Sequence, residues 1–180
     1  MKDGVEDPRV KLLRARVRDI PDFPKPGILF RDLTPLMGHG PSMRSCIDML
    51  VEGIARRRPD VIVAVESRGF IFGAPVAAAL GIGFAPVRKP GKLPWQTQRQ
   101  SYDLEYGTDA LEMHADAVVE GSQVVIVDDL LATGGTAAAT VELVRAQGGL
   151  IAGLAVVVEL EILNGRARLD GVAVDSLIKF

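Results

Sequence analysis

The chain has 180 residues, of which 48% are hydrophobic, and its formal net charge at pH 7 is -2. A chain of this length can bury one ordinary core but is too short for two full-sized domains, so a single domain over residues 1–180 is expected. The slightly acidic balance lacks the basic bias of a dedicated nucleic-acid-binding protein, and the single cysteine excludes an intrachain disulfide framework.

Neither secretion nor membrane insertion is indicated by the apolar segments. The N-terminal residues 1–7 lack the apolar core of a signal peptide, and the run at residues 155–158 is far shorter than the roughly 20 residues that span a bilayer. A cytoplasmic protein without a membrane partner is therefore expected, with Cys46 as a small buried hydrophobe.

The first third of the chain predicts two helices and a shaped loop. After the capping pair Asp7-Pro8, apolar residues recur at helical spacing up to Ile20, which predicts a short amphipathic helix. Residues 21–27 are too rich in proline for regular structure and lead into an extended segment at residues 28–32. Residues 41–58 follow the helical period, and Pro59 ends that helix.

The rest of the chain alternates between strands and helices. Strands are predicted at residues 61–65, 84–88, 123–127, 150–158 and 172–178, and helices at residues 70–80 and 136–147. Residues 89–107 are too long for a routine connector and predict a functional lid or a disordered segment. This alternation is typical of an α/β fold with a mostly parallel sheet flanked by helices.

The most informative segment covers residues 124–136. A buried strand delivers Asp128 and Asp129 and is followed by a glycine-paired turn that opens a helix, where backbone N–H groups and the helix dipole favour an anion. Neither the lysine of an ATP-type phosphate loop nor a Gly-x-Gly-x-x-Gly pattern is present. Ionised carboxylates accept hydrogen bonds from vicinal hydroxyl groups, so a ribose 5-phosphate fits this segment.

This segment resembles the diphosphoribose-binding signature of the type I phosphoribosyltransferases, and its Leu-Leu-Ala-Thr-Gly-Gly-Thr form is similar to that of the adenine-specific branch. The resemblance implies that family's fold, with an N-terminal helix and hood at about residues 1–35 and a flexible flap at about residues 89–108. It implies that Asp128 and Asp129 address the ribose hydroxyl groups near the reacting carbon. The residues it implies for the 5-phosphate are Ala132, Thr133, Gly134, Gly135 and Thr136.

A second segment of the resemblance follows the first predicted parallel strand. The turn Glu66-Ser67-Arg68 lies where open α/β sheets bind ligands. In the resembling family this turn grips pyrophosphate, through a cis peptide that maps to Glu66-Ser67, and Arg68 supplies charge-assisted hydrogen bonds. The resemblance also places Lys89 and Lys92 at the diphosphate. Taken alone, these cations would more simply form a solvated surface.

Two further segments bear on the binding of the nucleobase. Residues 101–107 resemble the family's mobile catalytic flap, which implies that Glu105 handles the adenine proton and that Tyr106 covers the site. Residues 23–32 resemble the family's hood, which implies that Leu29, Phe30 and Arg31 bind adenine. Without the resemblance, these segments indicate a half-exposed hairpin strand and a proline-rich surface loop.

Together, the four segments occur in family order between about Val17 and Leu169. The resemblance implies a pentosyltransferase that joins adenine to 5-phosphoribosyl-1-diphosphate and releases AMP and pyrophosphate in purine salvage. It also implies a homodimer and a Mg²⁺ ion held mainly by the substrate rather than by protein ligands. Two alternatives stay open: an enzyme for hypoxanthine, guanine or xanthine, and a non-catalytic nucleotide-sensing regulator of the same fold.

Overall fold

The structure is a computed structural model that describes residues 7–103 and 108–180. Glu105 and Tyr106, the two residues assigned to the flap, lie outside the described residues. The chain divides into two compact units, Met1–Met49 and Leu50–Phe180. The expectations of one domain, of a hood at residues 1–35 and of a flap at residues 89–108 therefore stay predictions.

The first unit contains short helices and one antiparallel strand pair. Its elements are α1 (Pro8–Arg14), β1 (Arg18–Pro21), β2 (Leu29–Asp32), α2 (Thr34–Met37) and the start of α3 (Gly40–Ala55). The Asp7 carboxylate caps α1 by accepting a hydrogen bond from the Arg9 backbone N–H at 2.8 Å. The prediction that this helix continues to Ile20 is wrong, because Ile20 pairs with Phe30 in the β1–β2 ladder.

The described residues of the second unit form nine helices and strands after the end of α3. In chain order after α3 they are β3 (Val61–Val65), α4 (Arg68–Leu80), β4 (Gly83–Val87), β5 (Thr97–Asp103), β6 (Thr108–His114), β7 (Gln123–Leu131), α5 (Gly135–Ala146), β8 (Leu150–Glu159) and β9 (Val174–Lys179). Short 3-10 turns follow β8 at Glu161–Leu163 and Gly165–Arg168. The predicted alternation of strands and helices is confirmed.

Five of these strands form the central sheet in the order β4-β3-β7-β8-β9, and every neighbouring pair in it is parallel. The two central helices pack on opposite faces. Ile62 and Ala64 face α4, where a Cβ added at Gly73 would lie 2.7 Å from the Ala64 Cβ, so glycine permits that close approach. Val63 and Val65 point to the other face and join the buried cluster that contains the α5 residues.

Two features of the second unit differ from the sequence prediction. Residues 97–103 and 108–114 form the antiparallel pair β5–β6, whereas the sequence predicted a lid or a disordered segment at residues 89–107, with a half-exposed hairpin strand only as the alternative for residues 101–107. Strand β7 also continues through Asp128 to Leu131 instead of ending before the aspartates. The reason is tertiary, because β8 extends the ladder on that side and pairs Asp128 with Val156 and Leu131 with Glu159.

Among the described residues, no helix has both the length and the apolar character needed to cross a bilayer. Cys46 is fully buried, as predicted, and burial raises the pKa of its thiol to about 12.

An ion pair between the buried Glu159 and the exposed Arg166 ties the segment after β8 to the sheet. The Glu159 carboxylate, in a residue only 4% exposed, accepts hydrogen bonds from Arg166 Nε at 2.5 Å, from Arg166 Nη2 at 2.7 Å and from Ser176 Oγ at 2.6 Å. Arg166 Nη1 also donates to the Val174 carbonyl at 2.9 Å. The hydrogen bonds from Arg166 are the largest cause that lowers the pKa of Glu159, from 4.5 to about 2.

Replacing Glu159 with glutamine is expected to lower the free energy of unfolding at pH 7 by about 2–3 kcal/mol, because one buried partner loses its charge. Since the folded pKa of Glu159 lies below the unfolded one, this contribution is complete above about pH 5 and is lost as the pH falls towards 2. Urea denaturation at pH 7 and at pH 3 measures the effect.

Glu161→Gln is the matched control, since the Glu161–Lys179 pair is about half exposed on both sides and an exposed pair contributes under about 1 kcal/mol. If both variants lost the same free energy of unfolding at pH 7, the prediction would be contradicted.

Candidate active site

A cavity of about 340 Å³ opens at the carboxyl edge of the central sheet. Strands β3 and β7 pair only as far as Ala64 and Val127. Beyond that point β3 turns away into Glu66-Ser67, while β7 continues along β8, so a crevice forms between the two strand ends. This is the place where open parallel sheets bind ligands.

The two aspartates of β7 line this cavity. The Asp129 backbone N–H donates to Asp128 Oδ1 at 2.8 Å, and Arg68 Nε forms an ion pair with Asp129 Oδ2 at 2.8 Å. Burial raises the pKa of both carboxyl groups. The negative charge of Asp129 raises the pKa of Asp128 further, and the positive charge of Arg68 opposes the rise in the pKa of Asp129. The site therefore keeps two acids close together at a cost in desolvation.

Helix α4 approaches the aspartates closely. A Cβ added at Gly69 would lie 2.9 Å from Asp128 Oδ1 and 3.1 Å from the Val127 carbonyl oxygen, so glycine is needed at this contact. The first residue of α4 is Arg68, which also lines the cavity. The sequence prediction placed Arg68 and the two aspartates at the same edge of the sheet. In the structure all three line one cavity, and Arg68 forms an ion pair with Asp129.

All five residues predicted to bind the 5-phosphate line the cavity: Ala132, Thr133, Gly134, Gly135 and Thr136. Gly134 is the residue before α5 and has a left-handed backbone with φ of +84°. The first-turn N–H groups of a helix have no intrahelical acceptor, and the dipole favours negative charge there. The turn can thus bind an anion through its backbone.

Gly165, which the sequence analysis did not single out, contacts the turn at residues 132–136. This turn, which was predicted to bind the 5-phosphate, is here called the phosphate turn. A Cβ added at Gly134 would lie 2.3 Å from the Gly165 carbonyl oxygen, and one added at Gly165 would lie 2.3 Å from the Ala132 carbonyl oxygen. The Gly165 segment is held in turn by the neighbouring Arg166–Glu159 pair. An Asn-Gly dipeptide at residues 164–165 signals a turn in the sequence, but no local signal indicates what the turn contacts.

The turn after β3 has the predicted backbone, because the Glu66-Ser67 peptide is cis. Glu66, Ser67 and Arg68 all line the cavity. The Glu66 carboxylate is engaged by the chain after β4: it accepts from Arg88 Nε at 2.6 Å and from the Lys89 backbone N–H at 3.0 Å. Glu66 therefore organises this segment, which carries the predicted lysines.

The two predicted lysines differ in position. Lys89 lines the cavity, and its ammonium group forms an ion pair with Asp109. Lys92 is exposed and is not among the residues that line the cavity, although its carbonyl oxygen accepts a hydrogen bond from Arg88 Nη1 at 3.1 Å. The assignment of Lys92 to the diphosphate stays a prediction.

Tyr102 and Asp109, on the β5–β6 hairpin, are two more residues that the sequence analysis did not assign. Tyr102 lines the cavity, donates to Asp109 Oδ2 at 3.2 Å and accepts from Thr136 Oγ1 at 3.4 Å. Tyr102 belongs to the segment that resembled the flap, but its own role had no sequence signal. Asp109 was missed because strand β6 was not predicted.

The residues assigned to adenine lie on β2 in the first unit. Leu29 is 46% exposed, Phe30 packs edge to face on Phe23 with ring centroids 5.2 Å apart, and Arg31 forms an ion pair with Asp19. The preceding loop is shaped by the cis Phe23-Pro24 peptide and by Gly27, whose φ is +86°. Their contact with a base stays a prediction.

Metal coordination by the protein alone is not indicated in the part of the chain that the structure describes. Residues 7–103 and 108–180 contain no group of three or more histidine, cysteine, aspartate or glutamate side chains placed to hold a metal ion. The paired carboxylates Asp128 and Asp129 are nevertheless oxygen donors of the kind that Mg²⁺ prefers. They fit a metal ion whose remaining ligands are substrate oxygens and water.

The chain is similar to known proteins in sequence and in fold. The family model described as phosphoribosyl transferase domain matches residues 39–176. A protein of Desulfitobacterium hafniense named adenine phosphoribosyltransferase is 55% identical over 164 residues, which cover 91% of this chain and 95% of that protein.

Two solved structures extend the similarity to the fold. The crystal structure of adenine phosphoribosyltransferase from Thermoanaerobacter pseudethanolicus has a TM-score of 0.93 and 52% identity, covering 95% of this chain and 99% of that one. The enzyme of the same name from Saccharomyces cerevisiae, complexed with adenine and an imino-altritol bisphosphate, has a TM-score of 0.89 and 41% identity. That match covers 94% of this chain and 98% of the yeast chain.

Proposed function

Because this chain belongs to the adenine phosphoribosyltransferase family, we propose that it transfers the phosphoribosyl group of 5-phosphoribosyl-1-diphosphate to adenine, releasing AMP and pyrophosphate in purine salvage. The observation that carries the proposal is one cavity that joins a helix start, two adjacent carboxylates and two cations, Arg68 and Lys89. This set of groups matches a ligand with a phosphate, ribose hydroxyl groups and a diphosphate.

The 5-phosphate would bind at the start of α5. Backbone N–H groups of the turn that contains Gly134 and Gly135 donate to its oxygens, and the hydroxyl groups of Thr133 and Thr136 add further donors. Glycine lets the backbone approach the phosphate without a side chain between them. This phosphate does not take part in the reaction, so its binding energy serves to orient the sugar.

In the proposed reaction, the bond from ribose C1 to the diphosphate oxygen breaks and a bond from C1 to an adenine nitrogen forms, with loss of that nitrogen's proton. Positive charge develops on the sugar as the first bond stretches. Asp128 and Asp129 accept hydrogen bonds from the ribose hydroxyl groups, and their negative charge stabilises the developing positive charge.

The leaving diphosphate would bind to cationic side chains. Arg68 begins α4 beside the cis Glu66-Ser67 peptide, and Lys89 also lines the cavity. Both side chains donate charge-assisted hydrogen bonds to phosphate oxygens and so stabilise the charge of the departing group. We assign Lys92 to the same diphosphate on the family resemblance.

Magnesium is proposed as the cofactor. Asp128 and Asp129 would be the protein carboxylates nearest to it, and substrate oxygens and water would supply most of its ligands. When bound, the ion neutralises part of the diphosphate charge.

For the base, we propose that the backbone around Leu29 and Arg31, together with the ring of Phe30, recognises adenine. The proline-rich loop before them fixes backbone angles and so lowers the entropy that is lost on binding. Glu105 is proposed to accept the adenine proton and Tyr106 to cover the site. We also propose a homodimer in the cytoplasm, in line with the family; light scattering after size exclusion tests the dimer.

The test of function mixes the purified protein with Mg²⁺, 5-phosphoribosyl-1-diphosphate and one purine at a time. We expect AMP from adenine, with kcat/KM at least about 100-fold above those for hypoxanthine, guanine and xanthine, because unpaired polar groups in the base pocket penalise the wrong base edge. Preferred use of another purine would identify a sister enzyme. Absence of product with all four, together with retained AMP binding, would identify a nucleotide-sensing regulator.

A further inference from the structure

Two side chains of the β5–β6 pair, Tyr102 and Asp109, have no part in the proposed reaction, although Tyr102 lines the cavity and Asp109 contacts Lys89, which also lines it. Asp109 Oδ2 accepts a hydrogen bond from the Lys89 ammonium group and another from the Tyr102 hydroxyl at 3.2 Å. Tyr102 in turn accepts from Thr136 Oγ1 at 3.4 Å. These contacts form a continuous chain from the lysine to the phosphate turn.

A lysine side chain needs such support if it is to meet a ligand at a defined place. It has four rotatable bonds, and ordering them costs up to about 2 kcal/mol of rotamer entropy. The Lys89 side chain is 44% exposed, so solvent competes for its ammonium group. Asp109 is better covered, at 27% for its side chain, and its backbone is held in the β6 ladder opposite Tyr102.

We infer that Asp109 is a positioning residue, which holds the Lys89 ammonium group at the cavity wall for a diphosphate oxygen while Tyr102 holds the Asp109 carboxylate in place. The inference rests on the proposed function. An ammonium group has three donors, so Lys89 can bind Asp109 and still donate to a ligand. These contacts also keep the lysine charged: burial lowers the pKa of Lys89, but Asp109 and Tyr102 together raise it above its ordinary value.

If Asp109 instead competed with the ligand for Lys89, the opposite change in affinity would be expected. A carboxylate beside an anion site repels the ligand, so an aspartate that merely competed for Lys89 would weaken diphosphate binding. Its removal would then tighten binding. The sign of the change in affinity therefore separates positioning from competition.

The experiment measures binding of inorganic pyrophosphate, in the presence of Mg²⁺, by calorimetry. Asp109→Asn is expected to weaken binding about tenfold, the effect of losing a hydrogen bond to a charged group, and Asp109→Glu to restore part of the affinity. Asp116→Asn is the matched control, because Asp116 is exposed just after β6 and carries the same charge change. Equal or tighter binding by Asp109→Asn overturns the inference.

A double-mutant cycle excludes a general structural effect. In a Lys89→Ala background, Asp109→Asn should no longer weaken pyrophosphate binding, since its action passes through the lysine. An equal loss in both backgrounds overturns the inference. In steady-state assays the KM for 5-phosphoribosyl-1-diphosphate should rise more than kcat falls.

Failure of the inference is distinguishable from failure of the proposed function. A wild-type protein that forms no AMP overturns the function itself. A wild-type protein that forms AMP and binds pyrophosphate no better than Asp109→Asn overturns only the role of Asp109.

Discussion

Replacing Asp128 with asparagine is expected to lower kcat/KM by about 100- to 1,000-fold while making the fold more stable at neutral pH. The activity falls because the variant loses a negative charge beside the developing positive charge on the sugar. The stability rises because burial and the Asp129 charge make an ionised Asp128 costly, which is why the pKa of Asp128 lies well above its ordinary value of 3.8.

The sign of the pH dependence follows from this direction. The folded protein retains the Asp128 proton at pH values where the unfolded chain has lost it, so wild-type stability falls as the pH rises above the unfolded pKa. We expect Asp128→Asn to exceed the wild type by about 1 kcal/mol, or about 3 °C in Tm, at pH 7.5, and the gap to close near pH 4.

Calorimetric melting at the two pH values and steady-state kinetics measure both effects. Asp170→Asn, at an exposed position, is the control for the loss of one carboxylate and should change neither quantity. A less stable Asp128→Asn at pH 7.5, or one with wild-type kinetics, would show that the acid pair does not have the role given to it.

The second large effect is expected at the phosphate turn. Gly134→Ala should raise the KM for 5-phosphoribosyl-1-diphosphate by about 100-fold, because a shift of about 1 Å in an orienting group costs that much. The new Cβ would lie 2.3 Å from the Gly165 carbonyl oxygen, so the turn or its brace must move. The left-handed φ of +84° adds about 1–2 kcal/mol of backbone strain.

Gly171→Ala separates the two contributions to that effect. Gly171 has a similar φ of +71°, but nothing lies within 4 Å of its added Cβ, so the variant has the backbone strain without the collision. It should lose stability and keep its KM. If Gly134→Ala shows no higher KM than Gly171→Ala, the close approach of Gly165 does not position the turn.

The cavity residues show where sequence reasoning succeeds. Asp128, Asp129 and Arg68 each follow a strand that the hydrophobic pattern predicts, and parallel strands bring their carboxyl ends to one edge. The structure accordingly places these three residues in one cavity. The start of α5 was predictable from local chemistry, because a glycine pair after a buried strand permits a left-handed turn and a close approach of the backbone to an anion at a helix start.

Prediction of secondary structure from the local sequence pattern was wrong where pairing between strands decides the conformation. Apolar spacing extended the first helix to Ile20, but pairing with β2 makes residues 18–21 a strand. The same applies to β7, whose last four residues stay extended because β8 lies beside them. In both places the hydrogen bonds of a ladder between distant segments outweigh the local preference, as is common for strands.

The amino-acid sequence by itself determined the α/β class, the order along the chain of the five central strands and the two central helices, and the residue types of the anion site, because these depend on hydrophobic period, turn chemistry and charge within short segments. Only the tertiary structure decided that Gly165 braces the phosphate turn and that Asp109 and Tyr102 contact Lys89 and Thr136. Those contacts join residues about 20 to 34 positions apart in the chain, and their geometry depends on how separate elements pack, which no local pattern encodes.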